Sequence, residues 1–178
     1  EEKQERNTYF LAYAWCEYNL ALGLQTSNRS ALERVVAQAE SWKHIPDYPS
    51  ILLVRDKGRA LCVLNDPSGA LASFRESLVT APDLSGEVIE TLRWTSRLEI
   101  VRLFLQCDEV ESAEKEIRSL LATINETQTR IAFQPFTDHF MKNMVMPLNQ
   151  ALTDLETLSN GFQDTEKLII QALTAVPY

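Results

Sequence analysis

Arg55 and Arg59 are the residues whose type and spacing most clearly indicate ligand chemistry in this sequence. Residues four apart project from the same side of an α-helix. The guanidinium group is planar and presents a fork of donors that matches a carboxylate. The pair is therefore a candidate site for an acidic segment or for the C-terminal carboxylate of a partner.

Residues suited to catalysis, metal binding or phosphate binding are not grouped. The histidines, His44 and His139, lie far apart, and neither an HExxH motif nor a Cys-x-x-Cys pair occurs. Asp138 and His139 are neighbours, but neighbours do not face each other on a helix and no nucleophile lies nearby. The glycines are isolated rather than arranged in a phosphate-binding loop. We therefore expect no enzyme activity, no metal site and no cofactor.

Charge and cysteine content narrow the class of partner and the compartment. The formal net charge of −8 opposes binding to nucleic acid and anionic lipid, which are bound mainly through clustered Lys and Arg. Cys16, Cys62 and Cys107 are few and widely spaced, which predicts free thiols in a reducing compartment. No apolar run approaches the roughly 20 residues that span a bilayer. We expect a cytoplasmic protein, and the absence of an initiator Met favours a piece of a longer chain.

The elements that position these residues are predicted to be helices, because glycine is scarce and helix-forming residues dominate. Apolar periodicity, caps and prolines predict helices over about residues 3–24, 31–43, 51–64, 67–80, 87–106, 109–124, 136–158 and 165–176. The first helix is apolar on more than one stripe, so we expect neighbours on several of its sides. Pro147 should interrupt the helix over 136–158.

Local signals mark three of the predicted helix starts. Ser30 with Glu33 and Asp108 with Glu111 have the spacing of capping boxes, in which two side chains satisfy each other's backbone donors. Asp66 is predicted to cap the helix that begins at Pro67, where the missing amide costs nothing.

Small and aromatic residues recur in these helix pairs at the offsets of one known helical repeat. The middle unit supplies Val54, Lys57, Gly58, Leu61, Ala70, Phe74 and Pro82, with Lys57 as the departure. The upstream unit supplies Trp15, Tyr18, Asn19, Leu22, Ala31 and Val35, and the downstream unit Ile100, Val101, Phe104, Ala113 and Ile117. The sequence resembles tetratricopeptide repeats over about 12–45, 51–84 and 94–127. The starts are about 39 and 43 residues apart instead of the usual 34.

The resemblance implies an all-α fold: a right-handed superhelix of antiparallel helix pairs, a TPR-like α-solenoid, with the C-terminal helices 136–158 and 165–176 as caps. Residues 1–178 would form a single domain. In this family the first helices of the pairs line a concave groove that receives a peptide or a helix. The partner-binding residues that this register predicts are Tyr13, Cys16, Leu52, Arg55, Arg59, Leu98 and Arg102. Cys16 and Leu20 stand where chaperone-binding members have Lys and Asn, so binding to the tails of general chaperones is not expected.

Two interpretations of Arg55, Arg59 and Arg102 remain open. They could bind an acidic partner segment, or they could be ordinary surface charge paired with acids such as Asp56 and Glu99, or Glu90.

These observations predict a protein-interaction scaffold or adaptor that binds a peptide or helix of another protein in its groove. A small secretion or assembly chaperone is one alternative, and a ligand-sensing or regulatory module of a larger signalling protein is another. The segment 136–176 is apolar enough to support a homodimer through the C-terminal helices.

Overall fold

A computed structural model describes residues 2–42, 48–79, 87–123, 141–157 and 162–175 of the chain. The predicted all-α class is confirmed, and the residues in these ranges contain no strand. The helices, numbered in chain order, are α1 Glu2–Thr26, α2 Arg29–Trp42, α3 Tyr48–Val63, α4 Pro67–Val79, α5 Glu87–Gln106, α6 Val110–Ala122, α7 Met146–Thr157 and α8 Phe162–Thr174. Pro82 of the predicted repeat pattern lies outside the described residues.

The chain divides into two compact units, Glu1–Asp83 and Leu84–Tyr178. In the first unit α1 packs on α2 and α3, α2 packs on α3, and α3 packs on α4. Two apolar clusters hold this unit together: one is formed by Leu20, Leu32, Val35 and Ala60, the other by Cys16, Ala39 and Leu53. Each helix pair of the unit therefore contacts the next pair along the chain.

In the second unit the helix contacts form a closed cycle. Helix α5 packs on α6 and α8, while α7 packs on α6 and α8. A π-helical turn, Met141–Val145, leads directly into α7, and Pro147 lies in the first turn of that helix. Proline has no N–H to donate to the preceding turn, so the α-helical hydrogen-bond ladder is interrupted at this point. The interruption predicted at Pro147 thus takes the form of a change from π-helical to α-helical geometry.

The turn that ends α3 recurs at the end of α5. Asn65 and Asp108 have left-handed backbones, with φ of 64° and 58°. The backbone N–H of Asp66 and that of Glu109 each donate to the carbonyl oxygen five residues earlier, at 2.9 and 2.8 Å. This bond defines the Schellman ending of a helix, and Asn and Asp tolerate the left-handed position better than most residues. The first helix therefore ends in the same type of turn in the second and in the third predicted repeat.

The helix starts follow the predicted caps only in part. The backbone N–H of Gly69 donates to Oδ1 of Asp66 at 2.9 Å, which confirms the cap before Pro67. The capping box predicted at Asp108 is wrong, because this residue forms the left-handed turn after α5 and the next helix begins at Val110, two residues later. Glu109 stands at its cap position and makes no side-chain capping bond.

The start of α2 is also displaced from the predicted position. The helix begins at Arg29, and the backbone N–H of Ala31 donates to Oδ1 of Asn28 at 3.1 Å. The predicted pairing of Ser30 with Glu33 is therefore wrong, because Asn28 already supplies the cap two residues earlier. Glu33 instead accepts from Nε of Arg29 at 2.8 Å.

Small residues lie where paired helices approach most closely. The alanine of each predicted repeat and the apolar residue four positions later are fully buried; these are Ala31 and Val35, Ala70 and Phe74, and Ala113 and Ile117. Gly58 lies directly against Phe74, since a Cβ added at Gly58 would stand 2.6 Å from the aromatic ring. The approach of α3 to α4 thus requires a residue without a side chain at position 58.

We expect Gly58→Ala to destabilise the protein. Overpacking against Phe74 should cost about 1–3 kcal/mol, while the higher helix propensity of Ala returns about 1 kcal/mol. The net loss should be about 1 kcal/mol in the free energy of unfolding, measured by urea denaturation. Combining Gly58→Ala with Phe74→Leu should recover part of it, whereas Ser68→Ala, on the exposed side of α4, is the control. A gain in stability for Gly58→Ala alone would contradict the close approach.

Candidate functional site

Helices α1 and α3 bring polar side chains together inside the first unit. Tyr13 and Glu17 of α1 meet Arg55, Asp56 and Arg59 of α3, and we call these five residues the carboxyl cluster. The four-residue spacing on each helix places these side chains on the sides along which α1 and α3 pack. Two of the three arginines predicted to bind a partner therefore belong to an internal polar cluster.

A hydrogen bond from Tyr13 and three charge contacts hold the carboxyl cluster together. The hydroxyl of Tyr13 donates to Oε1 of Glu17 at 2.8 Å. Nη2 of Arg55 lies 3.3 Å from Oδ1 of Asp56 and 3.9 Å from Oε1 of Glu17, and Nη1 of Arg59 lies 3.8 Å from Oδ1 of Asp56. The side chains of Arg55 and Asp56 are only 3% and 0% exposed. Buried charges of this kind persist only when they are paired.

Burial raises the pKa of Asp56 to about 7, against the opposing effect of the Arg55 guanidinium. Burial also acts on Glu17, but the neighbouring Asp56 carboxyl, the Tyr13 hydroxyl and the Arg55 guanidinium hold the pKa of Glu17 below its usual value. Asp56 therefore holds a proton more strongly than Glu17 does. Two carboxyls this close titrate as one coupled system, so the uptake of a proton belongs to the pair.

The predicted partner-binding residues differ in their access to solvent. Those with buried side chains are Cys16, Leu52, Arg55 and Leu98, and those with partial exposure are Tyr13, Arg59 and Arg102. Burial raises the pKa of the Cys16 thiol to about 12, so this residue is a core thiol. Partner binding by these seven residues stays a prediction. Of the seven, only Tyr13, Arg59 and Arg102 have side chains that reach solvent.

In the second unit, Arg102 is paired with acidic residues of α5 and α8. Nε of Arg102 lies 3.2 Å from Oε1 of Glu166, and its Nη1 lies 3.7 Å from Oε2 of Glu99. Gln106 donates to the same Glu166 oxygen at 2.8 Å. The pairing of arginines with Asp56 and Glu99 that the sequence left open is therefore present, and Arg55, Arg59 and Arg102 each contact a carboxylate of their own unit.

The described residues hold little else that resembles a reactive site. Across these ranges, no three His, Cys, Asp or Glu side chains converge to hold a metal ion. His44 and His139 lie outside them. Cys16, Cys62 and Cys107 are free thiols, as predicted. None of the helices in the described part of the chain is both long and apolar enough to cross a membrane.

The sequence analysis missed an exposed apolar face on α1, which we call the α1 stripe. It consists of Leu11, Ala14, Trp15, Tyr18 and Ala21, all of them exposed and none of them charged. Leu11 is 71% exposed, Trp15 41% and Tyr18 65%. Several apolar stripes on α1 led us to expect neighbours on several of its sides, yet its main packing partners among the described helices of this unit are α2 and α3. The stripe is left open to solvent.

We expect the carboxyl cluster to make stability depend on pH. The pKa of Asp56 is raised from 3.8 to about 7 on folding, so the folded state binds more protons between these values. The free energy of unfolding should therefore fall as pH rises from 5 to 7, by at most about 1.4 kcal/mol per pH unit, and level off above. Asn at position 56 has nearly the same size as Asp and cannot ionise, so Asp56→Asn should abolish this slope in urea denaturation at pH 5–8.

The matched control for this measurement is Asp164→Asn, which removes an exposed carboxyl paired with Lys167 and should leave the slope of the wild type unchanged. The lowered pKa of Glu17 costs stability only as pH falls below about 4.5, outside the range measured. Histidine titration is common to all three proteins and cancels in the comparison. An equal dependence of stability on pH in the wild type and in Asp56→Asn would contradict the raised pKa of Asp56.

Comparison with known proteins adds no functional information to this geometry. No protein-family model, no curated protein and no solved structure matches the chain. The tetratricopeptide resemblance therefore rests on the residues that carry it, and function has to be argued from the α1 stripe, the carboxyl cluster and the helix packing.

Proposed function

We propose that this protein is an interaction module that binds a segment of another protein on the α1 stripe. The observation that carries the proposal is a helix face with Leu11, Trp15 and Tyr18 exposed and no charge among its residues, in a protein with a net charge of −8. Contiguous exposed apolar surface of this kind marks protein interaction sites.

The composition of the stripe agrees with that of binding interfaces. Interface centres are depleted in charged residues and enriched in aromatic ones. Trp and Tyr dominate the residues whose truncation costs most binding energy, because they bury a large area with few rotatable bonds. Trp15 and Tyr18 lie three apart on one helix and therefore present adjacent rings to a partner.

The helix packing supports a tetratricopeptide-like array as the scaffold of this surface. In the first unit the pair α1 and α2 contacts the first helix of the next pair, and the pivotal alanines are buried in all three predicted repeats. Arrays of stacked helix pairs commonly serve as extended binding surfaces, because each added pair extends the same face. A scaffold or adaptor is therefore the function that we favour over an enzyme.

Charge pairing favours an apolar partner over an acidic one. Arg55, Arg59 and Arg102 each contact a carboxylate within their own unit, so an acidic ligand would have to displace these contacts. The α1 stripe carries no such contacts and needs no displacement.

We expect a variant with Trp15→Glu and Tyr18→Glu to lose its protein partner in affinity capture from native lysate, because two charges would be buried without partners. Substitutions at these exposed positions should leave the fold intact, which circular dichroism can verify. The control carries Val63→Glu and Val79→Glu, which are exposed apolar positions outside the stripe, and should retain the partner.

A third variant separates the apolar partner from the acidic one. The double variant Arg59→Glu, Arg102→Glu should retain the partner. If this variant lost the partner while the Trp15→Glu, Tyr18→Glu variant retained it, the result would favour an acidic ligand and overturn the proposal. Copurification of a single client whose solubility depends on this protein would identify the interaction as that of a chaperone.

A further inference from the structure

We infer that the α1 stripe is a stacking face for a helix, and that its occupant is an amphipathic helix of a partner protein with apolar side chains at positions i, i+3 and i+7. This inference rests on the proposed function and names the partner of the same surface. It follows from the way in which α3 uses the corresponding face.

A constant offset relates the two helices. Shifting the chain by 39 residues aligns Ala31 with Ala70 and Val35 with Phe74, which are the buried positions of the two repeats. The same shift aligns three α1 stripe residues with three residues of α3: Ala14 with Leu53, Tyr18 with Lys57, and Ala21 with Ala60.

On α3 these three positions are covered by the second helix of the preceding pair. Leu53 packs in one cluster with Ala39 of α2, and Ala60 packs in the other with Leu32 and Val35. Between them, Lys57 forms an ion pair with Glu40 of α2. The covering helix thus contributes apolar residues at i, i+3 and i+7 and one acid.

The corresponding positions of α1 are exposed, so the face that receives α2 on α3 is open on α1. Its chemistry differs at the centre, where Tyr18 stands in place of Lys57. A helix that covers α1 therefore resembles α2 in its apolar spacing but has an uncharged residue where α2 has Glu40. An acid buried there would meet the Tyr18 ring in place of a lysine ammonium.

The area of the stripe sets the strength of such a contact. Trp and Tyr side chains each bury about 150–250 Å², and their exposed fractions here leave roughly 200 Å² for a partner. With Leu11 and the alanines, both sides together would bury about 800 Å², which is less than the roughly 1,200–2,000 Å² of stable complexes. A second copy of the chain that contributed its own stripe would bury no more area than this. The α2 helix of that copy could not serve as the covering helix, because it already packs on α3.

The test uses two synthetic peptides with the sequence of α2, residues 29–42. One peptide keeps Glu40 and the other carries E40L. Both are fixed as helices by a lactam between Glu33 and a lysine introduced as A37K. Positions 33 and 37 lie on the exposed side of α2. Each is titrated into the full chain while amide shifts of Ala14, Trp15, Tyr18 and Ala21 are followed by NMR. We expect saturable shifts confined to the stripe, with the E40L peptide binding more tightly.

A Tyr18→Lys variant recreates the pairing found on α3. We expect it to reverse the preference, binding the Glu40 peptide about two- to fivefold more tightly than the E40L peptide, as for a partly exposed ion pair. A scrambled peptide should give no shifts, and a Val79→Glu chain should bind as the wild type does.

Two outcomes would overturn the inference. One is the absence of stripe shifts with both peptides, or a preference that Tyr18→Lys leaves unchanged. The other is a concentration-dependent shift at Trp15 without peptide that neither peptide suppresses, which would make a second copy the occupant. Either result is compatible with loss of a partner in the Trp15→Glu, Tyr18→Glu capture, so failure of this inference is distinguishable from failure of the proposed function.

Discussion

The structure depends on the close approach of paired helices at positions that admit only small side chains. Ala31 and Ala70 are fully buried, and Gly58 stands against the Phe74 ring with no room for a Cβ. Across the contact between α1 and α3, the Glu17 and Asp56 carboxyls both lie beside the Arg55 guanidinium, an arrangement that neither helix forms alone.

The features that the sequence predicted are those set by local or periodic signals. Helix ranges follow from apolar spacing, the buried alanines from the repeat pattern, and the Asp66 cap from the proline that follows it. The errors at Ser30 and Asp108 arose where two local signals competed. Asn28 reaches the first turn of α2 before Ser30 does, and Asp108 is recruited by the left-handed ending of α5.

The candidate site was less predictable, because it depends on which side chains meet across helices. The spacing of Arg55 and Arg59 correctly placed both on one side of α3, but did not reveal that Asp56 and Glu17 draw the Arg55 side chain into the interior. The sequence offered one signal for this pair, because Glu17 and Asp56 are 39 residues apart and therefore occupy equivalent positions in the first two predicted repeats. Exposure of the α1 stripe had no comparable signal, since an apolar residue in a sequence does not reveal whether a neighbour covers it.

The two faces of α1 differ because they have different neighbours. Its inner face meets α3 and carries the ionisable residues Tyr13 and Glu17, and Glu17 contacts Arg55 of α3. Its outer face carries Ala14 and Tyr18 where α3, covered by α2, carries Leu53 and Lys57. An ammonium group at position 18 would lack the acid that Lys57 finds in Glu40, while an aromatic ring can pack against any apolar helix. The substitutions between equivalent positions of the two helices therefore record a difference in what covers them.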